Sequence, residues 1–268
     1  MSAIRKLSYA FRAIPDGMPG KSRLARLALR AFGNSAVLAD KFGNELFLPS
    51  LQEPISLGIF ASGVYEPDTV AAIIEYLPER GTFLDIGANV GAISLAVASQ
   101  RPEAKIICVE ADPDIAAVLR NNATRNRLSI NLLPYVAGPE DGTVAFYRAP
   151  DSKFGMGSIG PQFSDDTVTL QQRRLDDLLT DAPHVIKLDI EGAEFGALMG
   201  LRRTIELHSP AIVFEFADWA EARIANQVAG DAQRLLLSLG YKLFSLTDRR
   251  PLTAPLQRGS AMIVATKA

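Results

Sequence analysis

One cysteine in 268 residues leaves no partner for an intrachain disulfide, which fits a reducing compartment. Cys108 sits inside the apolar run Ile106-Ile107-Cys108-Val109 and reads as a small core residue, not a nucleophile or a metal ligand. Histidine is nearly as scarce. His184 and His208 each precede an expected strand, so both belong at the end of the sheet away from a ligand, and acid–base chemistry falls to carboxylates and lysine. No stretch reaches the ~18 apolar residues of a membrane-spanning helix, and the amino terminus lacks the apolar core of a signal peptide; a cytoplasmic location is the expectation. Nor is there a charge excess: 28 Lys and Arg against 30 Asp and Glu leave −2, with no overall attraction to nucleic acid. Repeats and low-complexity segments are missing. The length suits one large domain, or one domain with an added segment.

What is present is organised around Thr82 to Pro113. An apolar run (Phe83, Leu84, Ile86) meets the turn Asp85-Ile86-Gly87-Ala88-Asn89-Val90-Gly91, then a helical pattern, then the run ending on Glu110. That order is strand, tight loop, helix, strand. The glycines let backbone approach a ligand or adopt positive φ, and Glu110 follows Gly87 by about two dozen residues, the spacing that puts a carboxylate on a ribose diol. In this turn there is neither G-x-G-x-x-G nor Gly-Lys-Ser/Thr, so a phosphate cradle is excluded. Asp85 and Glu110 instead make an acidic pocket, suited to a cationic, phosphate-free nucleoside. S-adenosylmethionine is the expected cofactor. The plainer alternative is an ordinary glycine-containing βα turn.

Residues 1–36 read as a separate segment of two basic amphipathic helices, ahead of a main domain over 37–268. Ile4, Leu7, Phe11 and Ile14, then Leu24, Leu27, Ala31 and Phe32, repeat at helical spacing around a break from Pro15 to Gly20. Arg5, Lys6, Arg12, Lys21, Arg23, Arg26 and Arg30 stand against one acid, Asp16. Contact with a membrane surface or an anionic partner and a simple helical flap with a solvated outer face both account for this. Val37 to Leu48 alternates around Phe42-Gly43-Asn44 as a β-hairpin. Gly63-Val64-Tyr65-Glu66-Pro67-Asp68 opens a helix at Pro67, placing Glu66 at its N-cap, either for the helix dipole or to project over the cofactor.

Beyond Glu110, Asp112-Pro113 has the form of a helix start, so Asp112 is a cap as readily as a cofactor contact. A third strand is expected over Ile130 to Val136, with Ala137 and Gly138 leaving room for a flat adenine. Thr143 to Arg148 and Thr167 to Gln172 alternate as a strand pair outside the parallel series, flanking a Gly-, Ser- and Asp-rich loop, Asp151 to Asp166, read as a mobile substrate lid. In Val185-Ile186-Lys187-Leu188-Asp189-Ile190 the period of two puts Lys187 and Asp189 on one face, costly in a central strand unless paired or used. Glu191 and Glu194 follow, interacting at the least with the next helix's positive end. Glu215 lies near the end of the fifth strand, Ala211 to Phe216, with Asp218 and Trp219 just beyond. The helix from Asp231 to Leu239 precedes two final strands, Tyr241 to Leu246 and Ala261 to Thr266, paired antiparallel.

Taken together, Lys187-Leu-Asp189-Ile-Glu191-Gly192-Ala-Glu194, the Asp85 to Gly91 turn and Gly63-Val-Tyr-Glu66 closely resemble the FkbM-type methyltransferases over about residues 37 to 216. The resemblance implies a class I methyltransferase fold: a Rossmann-like α/β sheet of seven mostly parallel strands with the last antiparallel, flanked by helices. It implies O-methylation of a hydroxyl on a sugar, glycan, polyketide or similar metabolite. It places Asp85, Gly87, Asn89, Gly91 and Glu110 along the cofactor, and makes Lys187, Asp189, Glu191 and Glu194 the signature at the reacting end. The basic helices fall outside it.

The chemistry asks for in-line displacement on a methyl carbon and removal of the hydroxyl proton. Asp189 or Glu191 is the expected base, with Lys187 holding the local charge or steadying an alkoxide. No metal is required, although Asp189, Glu215 and Asp218 form an oxygen-rich set that suits Mg²⁺. Other readings are a cofactor-binding partner protein without catalysis, an NAD-dependent dehydrogenase, and a nucleic-acid amino methyltransferase. The last would carry Asn/Asp-Pro-Pro-aromatic where Asp189-Ile-Glu191-Gly192 stands.

Overall fold

A computed structural model describes residues 2–150 and 153–267. Helices α1 (Ala3–Arg12) and α2 (Lys21–Arg30) precede the hairpin β1 (Ala36–Ala39) and β2 (Glu45–Leu48). The Asp40 carboxylate closes that hairpin by accepting from Phe42 N and Asn44 N, each at 2.8 Å, while Asn44 Nδ2 donates to Leu95 O at 3.2 Å. Next comes α3 (Pro54–Ser62), for which the sequence gives no periodic signal. Its side chains are apolar on several faces because it is enclosed on several sides, so no stripe emerges.

After α4 (Pro67–Tyr76) the chain alternates strand and helix: β3 (Thr82–Ile86), α5 (Ala92–Gln100), β4 (Lys105–Val109), α6 (Pro113–Arg125) and β5 (Asn131–Leu133). The strand expected over Ile130 to Val136 breaks in two, because Pro134 cannot donate to a ladder; β6 (Val136–Ala137) leaves the main sheet. It joins β7 (Gly142–Tyr147) and β8 (Thr167–Arg173) in a three-stranded satellite sheet. There follow β9 (Val185–Leu188), α7 (Glu194–Gly200), α8 (Arg202–His208), β10 (Ala211–Ala217), α9 (Asp218–Glu221), α10 (Asp231–Ser238), β11 (Lys242–Ser245), β12 (Pro251–Leu252) and β13 (Ser260–Thr266).

The main sheet runs β12-β11-β13-β10-β9-β3-β4-β5. β13 is antiparallel to both β10 and β11, while β10, β9, β3, β4 and β5 are parallel. This is the expected seven-stranded pattern with a two-residue edge strand added. Chain order reverses between β9 and β3, so a crevice opens past their carboxyl ends. Alternation sorts the core: Leu84, Ile86, Ile186, Leu188 and Phe214 pack on one face, and Phe83, Ile106, Cys108, Val185 and Val213 on the other. A third cluster joins Ile4, Ala25 and Leu29 of α1 and α2 to Leu38, Phe60, Leu95 and Ile115, so residues before 37 share the core of the main fold.

Close approach of α7 to the end of β6 depends on Gly200, where a Cβ would lie 2.0 Å from Gly138 O, a backbone atom that cannot swing aside. Gly200→Ala is expected to cost about 1–3 kcal/mol, whereas Gly142→Ala, with no atom within 4 Å, stays near wild type. Urea denaturation of the two variants checks this.

Candidate active site

The turn after β3 carries three left-handed residues, Gly87 (φ +77°), Asn89 (φ +51°) and Gly91 (φ +88°). Gly87 N and Ala88 N both donate to Val109 O, at 2.9 and 3.1 Å, tying the turn to the end of β4. Asn89 N then donates to Glu110 Oε2 at 2.9 Å, and Asp112 N to Glu110 Oε1 at 3.0 Å. Glu110 is thereby fixed at the strand end, and burial pushes its carboxyl up to about 7.

Across the sheet, Asp85 and Lys187 are paired in register on β3 and β9. Lys187 Nζ lies 3.2 Å from Asp85 Oδ1 and 3.5 Å from Asp189 Oδ2, and donates to Gly87 O at 3.1 Å. Burial alone would lower the lysine, but Asp85, Asp189 and Glu66 reverse that and its pKa is raised. A permanently charged ammonium is no general base, which leaves the carboxylates.

Three of them converge. Asp189, Glu191 and Glu215 each bring an oxygen within 4.8 Å of the others. Burial, then Asp189 and Glu215, push Glu191 up to about 8; burial, then Asp189, push Glu215 up to about 7. Glu66, in the left-handed region at φ +46°, is raised by burial and by Asp189. Glu191 is also left-handed, at φ +56°, and its carbonyl accepts from Ser158 Oγ at 2.9 Å and Gln162 Nε2 at 2.5 Å. Both Glu66 Oε2 and Glu191 Oε2 are buried without a hydrogen-bond partner.

These groups wall a single cavity. Gly87, Asn89, Glu110, Ala137, Glu66, Lys187, Asp189 and Glu191 line it, as the sequence reading places them, and Glu215 joins them. Asp85, Gly91, Asp112, Glu194 and Asp218 do not line it. Asp85 stands behind Lys187 and accepts from Ser94 Oγ at 2.6 Å. Gly91 is small to admit Leu119, whose Cδ1 would lie 2.3 Å from a Cβ there. Asp112 caps α6 through Asp114 N at 2.8 Å and pairs with Arg148. Glu194 holds the preceding turn by accepting from Ile190 N at 2.9 Å and Gly192 N at 3.4 Å. In the acidic trio Glu191 takes the position expected of Asp218, whose Oδ1 accepts from Trp219 N at 2.7 Å. The space expected beside Gly138 is filled by Gln172. His184 sits at the opposite end of the sheet, its Nδ1 accepting from Thr82 N at 3.1 Å.

Some wall residues are given no site role by the sequence. Glu53, pushed up to about 7 by burial, precedes the unforeseen α3, Tyr65 stands beside Glu66 in the Gly63 to Glu66 motif, and Tyr135 and Phe146 reach the cavity from separate elements. The mouth is crossed by the loop from Lys153 to Asp166, of which Gly155 to Ile159 line the cavity. Gly155, Gly157 and Gly160 have G-x-G-x-x-G spacing, yet no helix follows, so this is no phosphate cradle. Several contacts tie the loop to its surroundings: Tyr147 bridges Ser158, and Lys153 Nζ sits 3.4 Å above the Phe163 ring, which packs on Trp219 at 5.8 Å. Residues 151 and 152 of the expected lid lie outside the described residues.

The family model described as "Methyltransferase FkbM domain" matches residues 85–243, more than half of the chain. The chain belongs to the FkbM methyltransferase family. Among curated relatives, the hexuronic acid methyltransferase AglP of Haloferax volcanii is 23% identical over 145 residues, covering 53% of this chain and 58% of that protein. The chain thus spans less than two thirds of AglP. The release factor glutamine methyltransferase of Escherichia coli is 39% identical over 83 residues, covering 28% of this chain and 30% of that protein. The 2-O-methyltransferase NoeI of Sinorhizobium fredii is 28% identical over 190 residues, covering 62% and 76%.

The methyl donor of this family is S-adenosylmethionine, and the cavity suits it. Buried carboxylate oxygens without partners, Glu66 Oε2 and Glu191 Oε2, face a cation better than water-free protein. The end walled by Ile115, Tyr135, Val136 and Phe146 is apolar enough for a base ring.

Glu194, only 1% exposed, has its carboxyl pushed up to about 8 by burial from an ordinary 4.5. A folded-state pKa raised this way gives stability that is complete below about 4.5 and is lost as pH climbs to about 8. The donor-free protein should therefore lose melting temperature between pH 5 and 8.5. Glu194→Gln keeps the two accepted hydrogen bonds and should flatten that slope, gaining on the order of a few kcal/mol relative to wild type at the alkaline end. Thermal melts across the pH range of both proteins test it.

Proposed function

We propose that the protein is an O-methyltransferase that moves the methyl group of S-adenosylmethionine to a hydroxyl of a sugar or glycan. One observation carries the reading: the Asp189–Glu191–Glu215 convergence beside a permanently charged Lys187, with Glu191 Oε2 unpartnered and turned to the cavity. Glu110 would hold the ribose hydroxyls, Tyr135 to Ala137 the adenine, and Glu66 the ammonium of the donor's amino-acid part. The donor, when bound, supplies a methyl carbon whose bond to sulfur breaks with the electron pair leaving on sulfur. The chain supplies the rest. Glu191 takes the acceptor's proton as its oxygen closes on that carbon, and Lys187 with Asp189 fixes the local charge.

Two features favour a carbohydrate hydroxyl. AglP and NoeI are named for a hexuronic acid substrate and for 2-O-methylation. Trp219, 38% exposed, and Phe163 form an aromatic pair above the loop that grips the Glu191 carbonyl, a surface on which the C–H face of a sugar can rest. Convergence of three carboxylates also supports a second reading, a divalent cation that would bind and polarise the hydroxyl. Loss of transfer in EDTA with recovery on Mg²⁺ would favour it.

With labelled donor and a panel of hexuronic acid oligosaccharides, mass spectrometry should find methyl ether products. Donor binding without any transfer would instead mark a cofactor-binding partner protein, and transfer to nitrogen would overturn the O-methyl assignment. Glu191→Gln should lower kcat by about 10²–10⁴. For wild type, kcat/KM should rise with pH through about 8 as Glu191 deprotonates, and the limb in kcat should lie lower because the bound donor's positive charge favours the carboxylate. Trp219→Ala should raise the acceptor KM roughly tenfold and leave the donor KM unchanged.

A further inference from the structure

The seven cations before residue 37 divide sharply. Arg5 pairs with Glu45 at 2.5 Å, Lys21 pairs with Asp16 at 2.7 Å and donates to Ile14 O, and Arg12 donates to Ala39 O and Ile59 O. These three tie α1 and α2 to each other and to the fold. Lys6, Arg23, Arg26 and Arg30 are exposed and make no ion pair among the described residues.

On α2 the buried positions are Lys21, Ala25 and Leu29, one stripe at four-residue spacing. The opposite face carries Arg23, Arg26, Leu27 and Arg30, with Leu24 at its edge. Leu24 and Leu27 are 55% and 54% exposed, and Met18, in the turn leading into α2, is 53% exposed. Two exposed leucines between three unpaired arginines are poorly suited to open water. They suit a surface that is anionic outside and apolar just beneath. No single helix among the described residues is long and apolar enough to cross a membrane.

We infer that the outer face of α2, with Met18, seats the protein on an anionic lipid bilayer, the arginines among the headgroups and Leu24, Leu27 and Met18 below them. This rests on the surface alone and stands or falls apart from the proposed reaction. Since α2 packs on α3, whose first residues wall the cavity, the bilayer would lie against the same part of the molecule that shapes the site.

Co-sedimentation of the full chain with phosphatidylglycerol-containing vesicles and with pure phosphatidylcholine vesicles tests it, with thermal melts confirming that each variant folds. Binding is expected to the anionic vesicles only and to weaken as salt rises. Arg23→Gln, Arg26→Gln and Arg30→Gln together should weaken it by roughly a hundredfold. Leu24→Ser with Leu27→Ser should weaken it at least about tenfold although every charge remains. Equal binding to both vesicle types, no binding to either, or indifference to the leucine pair overturns the inference. So does self-association abolished by the leucine changes without vesicle binding, which would make the face a contact between copies.

Discussion

The site is built outward from one buried ammonium. Lys187 lies one residue from the end of a central strand and directs its charge to Asp85 on the neighbouring strand, Asp189 two residues on, and the carbonyl of Gly87. Those three contacts fasten β3, the glycine turn and β9 together at the crevice where chain order reverses. Truncating the lysine would leave Asp85, wholly buried, without its counter-charge, and loss of one partner of a buried pair costs about 3–5 kcal/mol. The strand ends cannot drift independently, and every residue hung from them inherits that rigidity.

Around this cation stand more carboxylates than it can neutralise. Glu66, Asp189, Glu191 and Glu215 share one cavity wall with a single ammonium, and burial lifts three of them above the ordinary range. An empty pocket of this composition is electrostatically incomplete: it must take up protons or a positive ligand. A cationic methyl donor satisfies that demand, and under the proposed chemistry the sulfonium charge is lost as a neutral thioether while Glu191 gains the acceptor's proton, so the pocket stays balanced until that proton leaves. The same excess of carboxylate serves binding and proton removal.

Much of this could be read before any coordinates. The Asp85 to Gly91 turn, Glu110 at the next strand end, and Lys187 and Asp189 on one face of a strand follow from periods of two and from glycine spacing, and these residues meet at the cavity apart from Asp85, which lies one layer behind, and Gly91, which faces Leu119. What escaped the sequence has physical causes. Helix α3 is covered on several sides and so shows no stripe, which concealed Glu53. Asp112 and Asp218 have the right chemistry, but the nearest unpaired backbone N–H claims each of them, and only the local path of the chain decides that. The basic residues of α1 and α2 look alike in sequence; which of them turn inward depends on where Glu45, Asp16 and the carbonyls of Ile14, Ala39 and Ile59 happen to lie.

The turn from Ile190 to Ala193 links the two halves of the site. At Gly192 a Cβ would lie 2.6 Å from the Ala220 carbonyl carbon, so the turn is pressed against the start of α9, next to Trp219. On its other side Ser158 and Gln162 of the mouth loop grip the Glu191 carbonyl, holding that residue in a left-handed conformation that a side chain of its size seldom adopts. The carboxylate that faces the cavity is therefore positioned by the same loop and helix that carry Phe163 and Trp219. Under the proposed reaction an acceptor resting on Trp219 and Phe163 pushes on the elements that aim its base, so a change of acceptor shape is felt at the proton-transfer step as well as in binding. Under that same proposal acceptor choice would reside in residues 153–166 and 218–223, where side chains from distant stretches meet and where local sequence pattern says least.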